Sequence, residues 1–234
     1  MIKKILIIAI LAVVGLIFFN LYKAYQGTEI LNRTAAYYAK NGAGEVGAAN
    51  LVTAVVVTYR GFDTLGEVTI LFLAAAIISF ILKFKKEDLL PARHVRVSSE
   101  ILNTASQVLV PIIFMVGIYI FINGHLTPGG GFQGGAVIAS GVLLMIMSNS
   151  NFSISHKLIS VVESISGFAY VLIGLLGLIF AGGFLDNRVL GLGHLGDLFS
   201  AGIIPVIYTF IGLKVGAELS NILGTISHAQ NEIN

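Results

Sequence analysis

HLTPGGGFQGG, from His125 to Gly135, is the stretch that decides how this chain folds. It lies between two apolar runs, Ile101 to Asn123 and Ala136 to Ser150, that contain no Asp, Glu, Lys or Arg. A second break of the same kind, TYRGFDTLGE from Thr58 to Glu67, interrupts apolar sequence in the first half. Glycine and proline end or bend helices at such places. Non-helical backbone within an apolar run needs neighbouring protein to shelter it from lipid. The two breaks therefore predict an all-α polytopic integral membrane protein whose polar chemistry sits at helix interruptions.

The composition agrees. With 56% hydrophobic and 11% charged residues, the 234-residue chain has too little polar surface to wrap a soluble globule. Its mean hydropathy of +0.91 points the same way. A helix crosses the hydrocarbon with roughly 20 apolar residues, each amide bonded internally. On that measure about seven transmembrane helices are expected, near 4–22, 44–59, 63–83, 101–123, 135–150, 158–182 and 201–224. The second and fifth are short and adjoin glycine-rich turns, as broken or re-entrant segments do.

A net charge of +2 implies no nucleic-acid partner, because the basic residues cluster in loops beside membrane helices. The chain has no cysteine, so it cannot ligate an iron-sulfur cluster through thiolates or form a disulfide. Any redox centre is expected on another chain, and no cofactor or metal on this one. No nucleophile stands beside a base, so the chain is not expected to be an enzyme by itself.

The charged segment KFKKEDLLPARHVRVSSE, Lys83 to Glu100, with a turn at Pro91, divides the sequence. It separates a three-helix part (1–86) from a four-helix part (101–228), with 87–100 as linker. Counting Lys and Arg in the loops places Lys23, Arg33, Lys40, Lys83, Lys85, Lys86, Arg93, Arg96 and Lys157 in the cytoplasm. The expectation is a multi-pass protein of the cytoplasmic membrane with its N-terminus outside and C-terminus inside.

Several ionisable residues fall inside or beside these helices. Asp63 and Glu67 are four residues apart, so both carboxylates share one helix face close to Arg60. Glu67 is the deeper and is the first ion-path candidate, since intramembrane ionisable groups mark ion and proton routes. Arg60 and Asp63 read as a helix-end ion pair. Lys214 and Glu218 repeat the four-residue spacing in the last helix, where they can neutralise each other as a relay or as a structural pair. Glu163, among Ser160, Ser164 and Ser166, is interfacial or a shallow entry point. His125 is either a solvated loop residue or the lining of an ion exit, and His194 with Asp197 likewise. Pro111 leaves the Gln107 carbonyl without its helical donor, at a kink that Asn103 adjoins.

Gly129, Gly131 and Gly134 fit G-x-G-x-x-G, but a membrane helix precedes them where a dinucleotide fingerprint needs a strand. Gly129, Gly130, Gly131, Gly134 and Gly135 read instead as a helix break followed by close packing. Gly131 with Gly135, like Gly212 with Gly216, has the small-xxx-small spacing of membrane helix contacts.

These strings resemble a known family. Residues 1–90, with GAANLVTAVVVTYRGFDTLGEVTILFLAAA from Gly47 to Ala76, resemble the C-terminal tail of the large Mrp antiporter A subunit. That tail also occurs as a small separate subunit of membrane-bound hydrogenases. Residues 95–230 resemble the Mrp antiporter B subunit, through HLTPGGGFQGGAVIASGVLL from His125 and IIPVIYTFIGLKVGAEL from Ile203. Fusion of the two without the antiporter core resembles a hydrogenase-type, ferredoxin-linked complex more than a plain Mrp antiporter. The resemblance implies a membrane subunit of a module that moves Na+ or H+. It would be packed in lipid against other small membrane subunits and an antiporter-like subunit, with redox chemistry on peripheral hydrogenase-type subunits. The alternatives are a non-conducting adaptor between antiporter-like subunits, or a subunit of a stand-alone Mrp antiporter. An autonomous small-solute transporter is weaker, as no internal repeat is apparent.

Overall fold

Helix length and hydropathy carry over into the computed structural model, which describes residues 2–25, 31–84, 98–149, 152 and 154–233. In chain order come α1 (Ile2–Ala24), α2 (Arg33–Val46), the short α3 (Leu51–Thr53) continuing as a π-helical turn (Ala54–Tyr59), and α4 (Gly61–Phe84). They are followed by α5 (Glu100–Ile122), α6 (Gly131–Ser148), α7 (His156–Phe180) and α8 (Ile204–Ile233), with a 3-10 turn (Asn187–Val189) before α8. No strand occurs among the described residues. Six helices, α1 and α4 to α8, are long and apolar enough to cross a membrane. The chain is an all-α, multi-pass membrane protein.

The stretch 44–59 does not supply a seventh crossing. Helix α2 ends at Val46, Gly47 turns the chain with φ +72°, and Asn50 starts a new helix. The Asn50 carboxamide accepts hydrogen bonds from the N–H groups of Val52 and Thr53, a cap that fixes the restart. Leu51 to Tyr59 is then far short of the roughly 20 residues a crossing needs. Opposite placement of the two termini rested on that seventh crossing. The charged linker with Pro91 falls largely outside the described residues.

The chain divides into two compact units, Met1–Tyr37 and Tyr38–Asn234. In the first, the apolar side chains of α1 from Ile5 to Tyr22 are exposed throughout, the surface a lipid-facing helix presents. In the second, α8 is the central element and packs against α4, α5, α6 and α7. Ile204, Ile207, Ile211 and Val215 are fully buried along it.

Lipid tails are as apolar as leucine, so helix contacts in a bilayer depend on close packing instead of water exclusion. The glycines of α6 provide it. A Cβ on Gly134 would lie 2.6 Å from the Gly117 carbonyl of α5. One on Gly135 would lie 2.8 Å from the Gly212 carbonyl of α8, and one on Gly131 2.5 Å from Ile211. Gly129, before the helix, would meet the Ile120 carbonyl at 2.9 Å. Three helix backbones thus meet along α6.

The polar loops of this unit gather at one end. The Asn50 amide donates to the carbonyls of Gly124 (2.8 Å) and Thr127 (3.0 Å), and the Asn50 N–H donates to the His125 carbonyl at 3.0 Å. Asn187 donates to the carbonyls of Val46 (2.7 Å) and Ala201 (3.1 Å). At the opposite end Ser98 donates to the Ser148 carbonyl, and Gly224 lies beside Ile154.

Candidate ion pathway

Lys214 and Glu218 face each other because 3.6 residues per turn brings i and i+4 onto one side of α8. The Lys214 ammonium donates to Glu218 Oε1 at 2.5 Å. Side-chain exposure is 11% for Lys214 and 0% for Glu218, so this pair is sealed inside the unit. Lys214 lies about 15 Å along α8 from Ile204, half of a hydrocarbon layer about 30 Å thick. Its stem runs 3.6 Å from where a Gly167 Cβ would stand, and its ammonium lies 5.2 Å from the Phe72 ring centroid. Glycine at 167 leaves α7 room for the lysine, and Phe72 of α4 offers it a π face. The second Glu218 oxygen, Oε2, is buried without a hydrogen-bond partner. Glu163, half-buried on α7, is close enough to act electrostatically on Glu218.

Glu67 lies nearer the looped end. Its carboxylate acts electrostatically on the hydroxyls of Tyr170 of α7 and Tyr208 of α8. The Glu67 side chain is exposed on this chain and has no hydrogen bond or ion pair among the described residues. Lys214 therefore pairs with Glu218 and not with Glu67. Helices α4 and α8 run in the same direction, matching Glu67 with Tyr208 and Phe72 with Lys214, while α7 runs against them. The result is a column of ionisable groups at successive depths: Glu67 first, then Lys214, then Glu218 with Glu163. Asp63 stands outside it, in an exposed 2.7 Å ion pair with Arg60.

His125 is not a solvated loop histidine. It is fully buried, and its Nε2 lies 3.4 Å from the Asp197 carbonyl. Burial pushes its imidazole below the ordinary value, against the opposing pull of that carbonyl. His194 and Asp197 are exposed, joined through the Asp197 N–H and the His194 carbonyl. Asn103, Gln107 and Pro111 lie on the exposed surface of α5.

Residues that hold the looped end together escaped the sequence reading. Tyr208 donates to the Thr53 hydroxyl (2.9 Å), which donates to the Gly124 carbonyl (2.6 Å). That chain ends on a carbonyl, which accepts but cannot donate, so it locks the fold and relays no proton. Tyr170 similarly donates to the Gly61 carbonyl at 3.3 Å. A signal existed for Asn50, which stands directly before an apolar helix as a cap residue does. For Tyr208, Thr53 and Asn187 only their polarity amid apolar neighbours marked them.

Known proteins share this arrangement of helices. Residues 101–221 match the model of the domain related to the MnhB subunit of the Na+/H+ antiporter. Residues 3–94 match the model of the MbhE component of MBH. A protein of Methanocaldococcus jannaschii is 31% identical over 195 residues, 73% of this chain and 74% of that one. Among solved structures, a chain of the membrane-bound sulfane sulfur reductase, an archaeal respiratory membrane complex, superposes with a TM-score of 0.77. It is 39% identical, with 97% of this chain and 98% of that chain covered. A chain of the Mrp complex from Dietzia sp. shares the fold, with a TM-score of 0.77 at 22% identity. There 96% of this chain covers 26% of the other, so this chain spans about a quarter of that protein. The glycine-packed four-helix part and the broken-helix part before it thus place this chain in the family of MnhB-related Na+/H+ antiporter subunits, joined to a segment of the MbhE family.

Proposed function

We propose that the chain is a membrane subunit of a Mrp-like cation-translocating module within a respiratory complex, and that Na+ or H+ passes along its α4, α7 and α8 side. The carrying observation is the column of Glu67, Lys214, Glu218 and Glu163 at successive depths in helices that otherwise contain almost no charge. Ionisable groups at that depth are costly and mark ion or proton routes. The chain's match over nearly its whole length to a chain of a sulfane sulfur reductase complex supports a place in a membrane complex of that kind or of the hydrogenase kind. Electron transfer belongs to peripheral redox subunits in this reading, and the chain itself is non-catalytic. The segments 83–97 and 149–157 at the α8-terminal end carry most of the Lys and Arg, which places the C-terminus in the cytoplasm.

The test is cation uptake by inverted vesicles holding the whole complex and driven by its reductant, native chain against Glu67→Gln at matched assembly. Lost or uncoupled uptake supports the path. Native uptake moves the chain to the second reading, an adaptor whose glycine seam along α6 joins antiporter-like subunits without conducting.

A further inference from the structure

Charge counting at the inner end of the column leads further than the path itself. Two carboxylates, Glu218 and Glu163, and one ammonium, Lys214, meet where α7 packs on α8. Fully ionised, the three leave one negative charge in a setting where uncompensated charge is expensive. Lys214 satisfies Oε1 of Glu218 and leaves Oε2, on a fully buried side chain, with no donor. A carboxylate oxygen in that position costs free energy unless a proton or a cation occupies it. One monovalent cation neutralises the group, whereas a divalent cation would overshoot to a positive charge.

We propose that Glu218 Oε2, with Glu163, forms a single-occupancy exchange site at which one proton and one Na+ compete, while Lys214 remains the fixed counter-ion. Mutual exclusion at one site ties the loss of one ion to the uptake of the other, which is what antiport requires. The site rests on the cation-path reading above and names where along it the exchange occurs. The charged neighbours are few. From α7 come Glu163 and, in its first turn, His156 and Lys157; α4 carries Asp63, Glu67 and Lys83. Helix α5 begins with Glu100, α6 has no ionisable residue, and His228 and Glu232 lie towards the end of α8. Only Lys214 and Glu163 act measurably on Glu218.

Dicyclohexylcarbodiimide, which modifies protonated carboxyls in apolar surroundings, reads the site without requiring transport. Membranes holding the whole complex are treated across a series of pH values and NaCl concentrations, with choline chloride keeping ionic strength constant. Modification of Glu218 is followed by mass spectrometry. Na+ should protect Glu218, and the half-protecting concentration should rise by up to about tenfold for each unit by which pH falls. In Glu163→Gln it should rise by about tenfold or more at fixed pH. Modification insensitive to Na+ overturns the site, and so does a Glu163→Gln protection curve identical to the native one. If the reagent leaves Glu218 unmodified throughout, Glu218→Asp decides: a several-fold rise in the apparent KM for Na+ uptake upholds the site, and an unchanged KM and pH profile overturns it. Na+-insensitive modification together with uptake lost in Glu67→Gln removes the site and leaves the path. Uptake indifferent to substitution at both Glu67 and Glu218 removes both.

Discussion

Arg60–Asp63 and Lys214–Glu218 are both acid–base pairs about one helical turn apart, and burial makes them different objects. The first spans 2.7 Å at the start of α4, with side chains 60% and 48% exposed. The second spans 2.5 Å at the middle of α8, with side chains 11% and 0% exposed. Exposed pairs gain little, because high dielectric weakens the attraction and ordering two side chains costs entropy. A buried pair has already lost its hydration, so each partner depends on the other. Equal sequence spacing therefore conceals unequal dependence. One pair trims a helix end, and the other is part of the interior of the membrane unit.

Removing one member of each pair is the most direct way to break this comparison. Lys214→Met leaves Glu218 charged and unpaired, at a cost of about 3–5 kcal/mol. The amount of chain recovered in the assembled complex should fall sharply. The double substitution Lys214→Met with Glu218→Leu should restore assembly while leaving cation uptake lost. Recovery equal to native in Lys214→Met alone would erase the distinction between the pairs.

A packing substitution tests whether the buried pair depends on the glycine seam that holds α6 against α8. Gly135→Val sets side-chain atoms where a single Cβ already meets the Gly212 carbonyl at 2.8 Å. Overpacking of this kind costs about 1–3 kcal/mol. The midpoint of thermal unfolding of the complex in mild detergent should drop, and Gly212 and Gly216 should be similarly intolerant.

His125 sharpens the contrast at the looped end, because it is buried yet has no charged partner holding it. Its pKa is lowered on folding, so the unfolded chain binds the proton more readily. Its contribution to stability is full above the ordinary imidazole value near 6.5 and is lost as pH falls below it towards the lowered folded value. Thermal scans of the complex from pH 8 to pH 5 should show an acid-side loss that is reduced in His125→Gln. An identical acid-side loss in that variant would assign the titration elsewhere.

The smallest effect is expected from Asp63→Asn, about 0–1 kcal/mol, with assembly and uptake close to native. A large loss there would mean that Arg60 and Asp63 are buried by a neighbouring subunit in the complex, and would bring the two pairs together again.

Much of this was legible from residues alone. Runs without charge announced helices near 101–123 and 158–182, and a period of 3.6 put Lys214 opposite Glu218. The glycine spacings at Gly131, Gly135, Gly212 and Gly216 announced close contacts, though not between which helices. The stretch 44–59 misled, because its apolar residues suggested a crossing while Gly47 and Asn50 ended one helix and started another. His125 misled in the opposite sense, since a histidine beside Thr-Pro-Gly-Gly reads as solvated.

Sequence by itself determined the solvent of this protein, its helical class and the spacing of its paired charges, because backbone hydrogen bonding and helical period are local properties. Tertiary structure alone decided that Lys214 and Glu218 are sealed in, that Glu163 stands beside them, that Glu67 faces outward, and that Asn50 ties the broken helix to the loop at Gly124. The reason is physical: lipid is as apolar as a protein core, so hydropathy cannot separate a face that meets lipid from one that meets another helix. Only contacts between residues far apart in the chain draw that line.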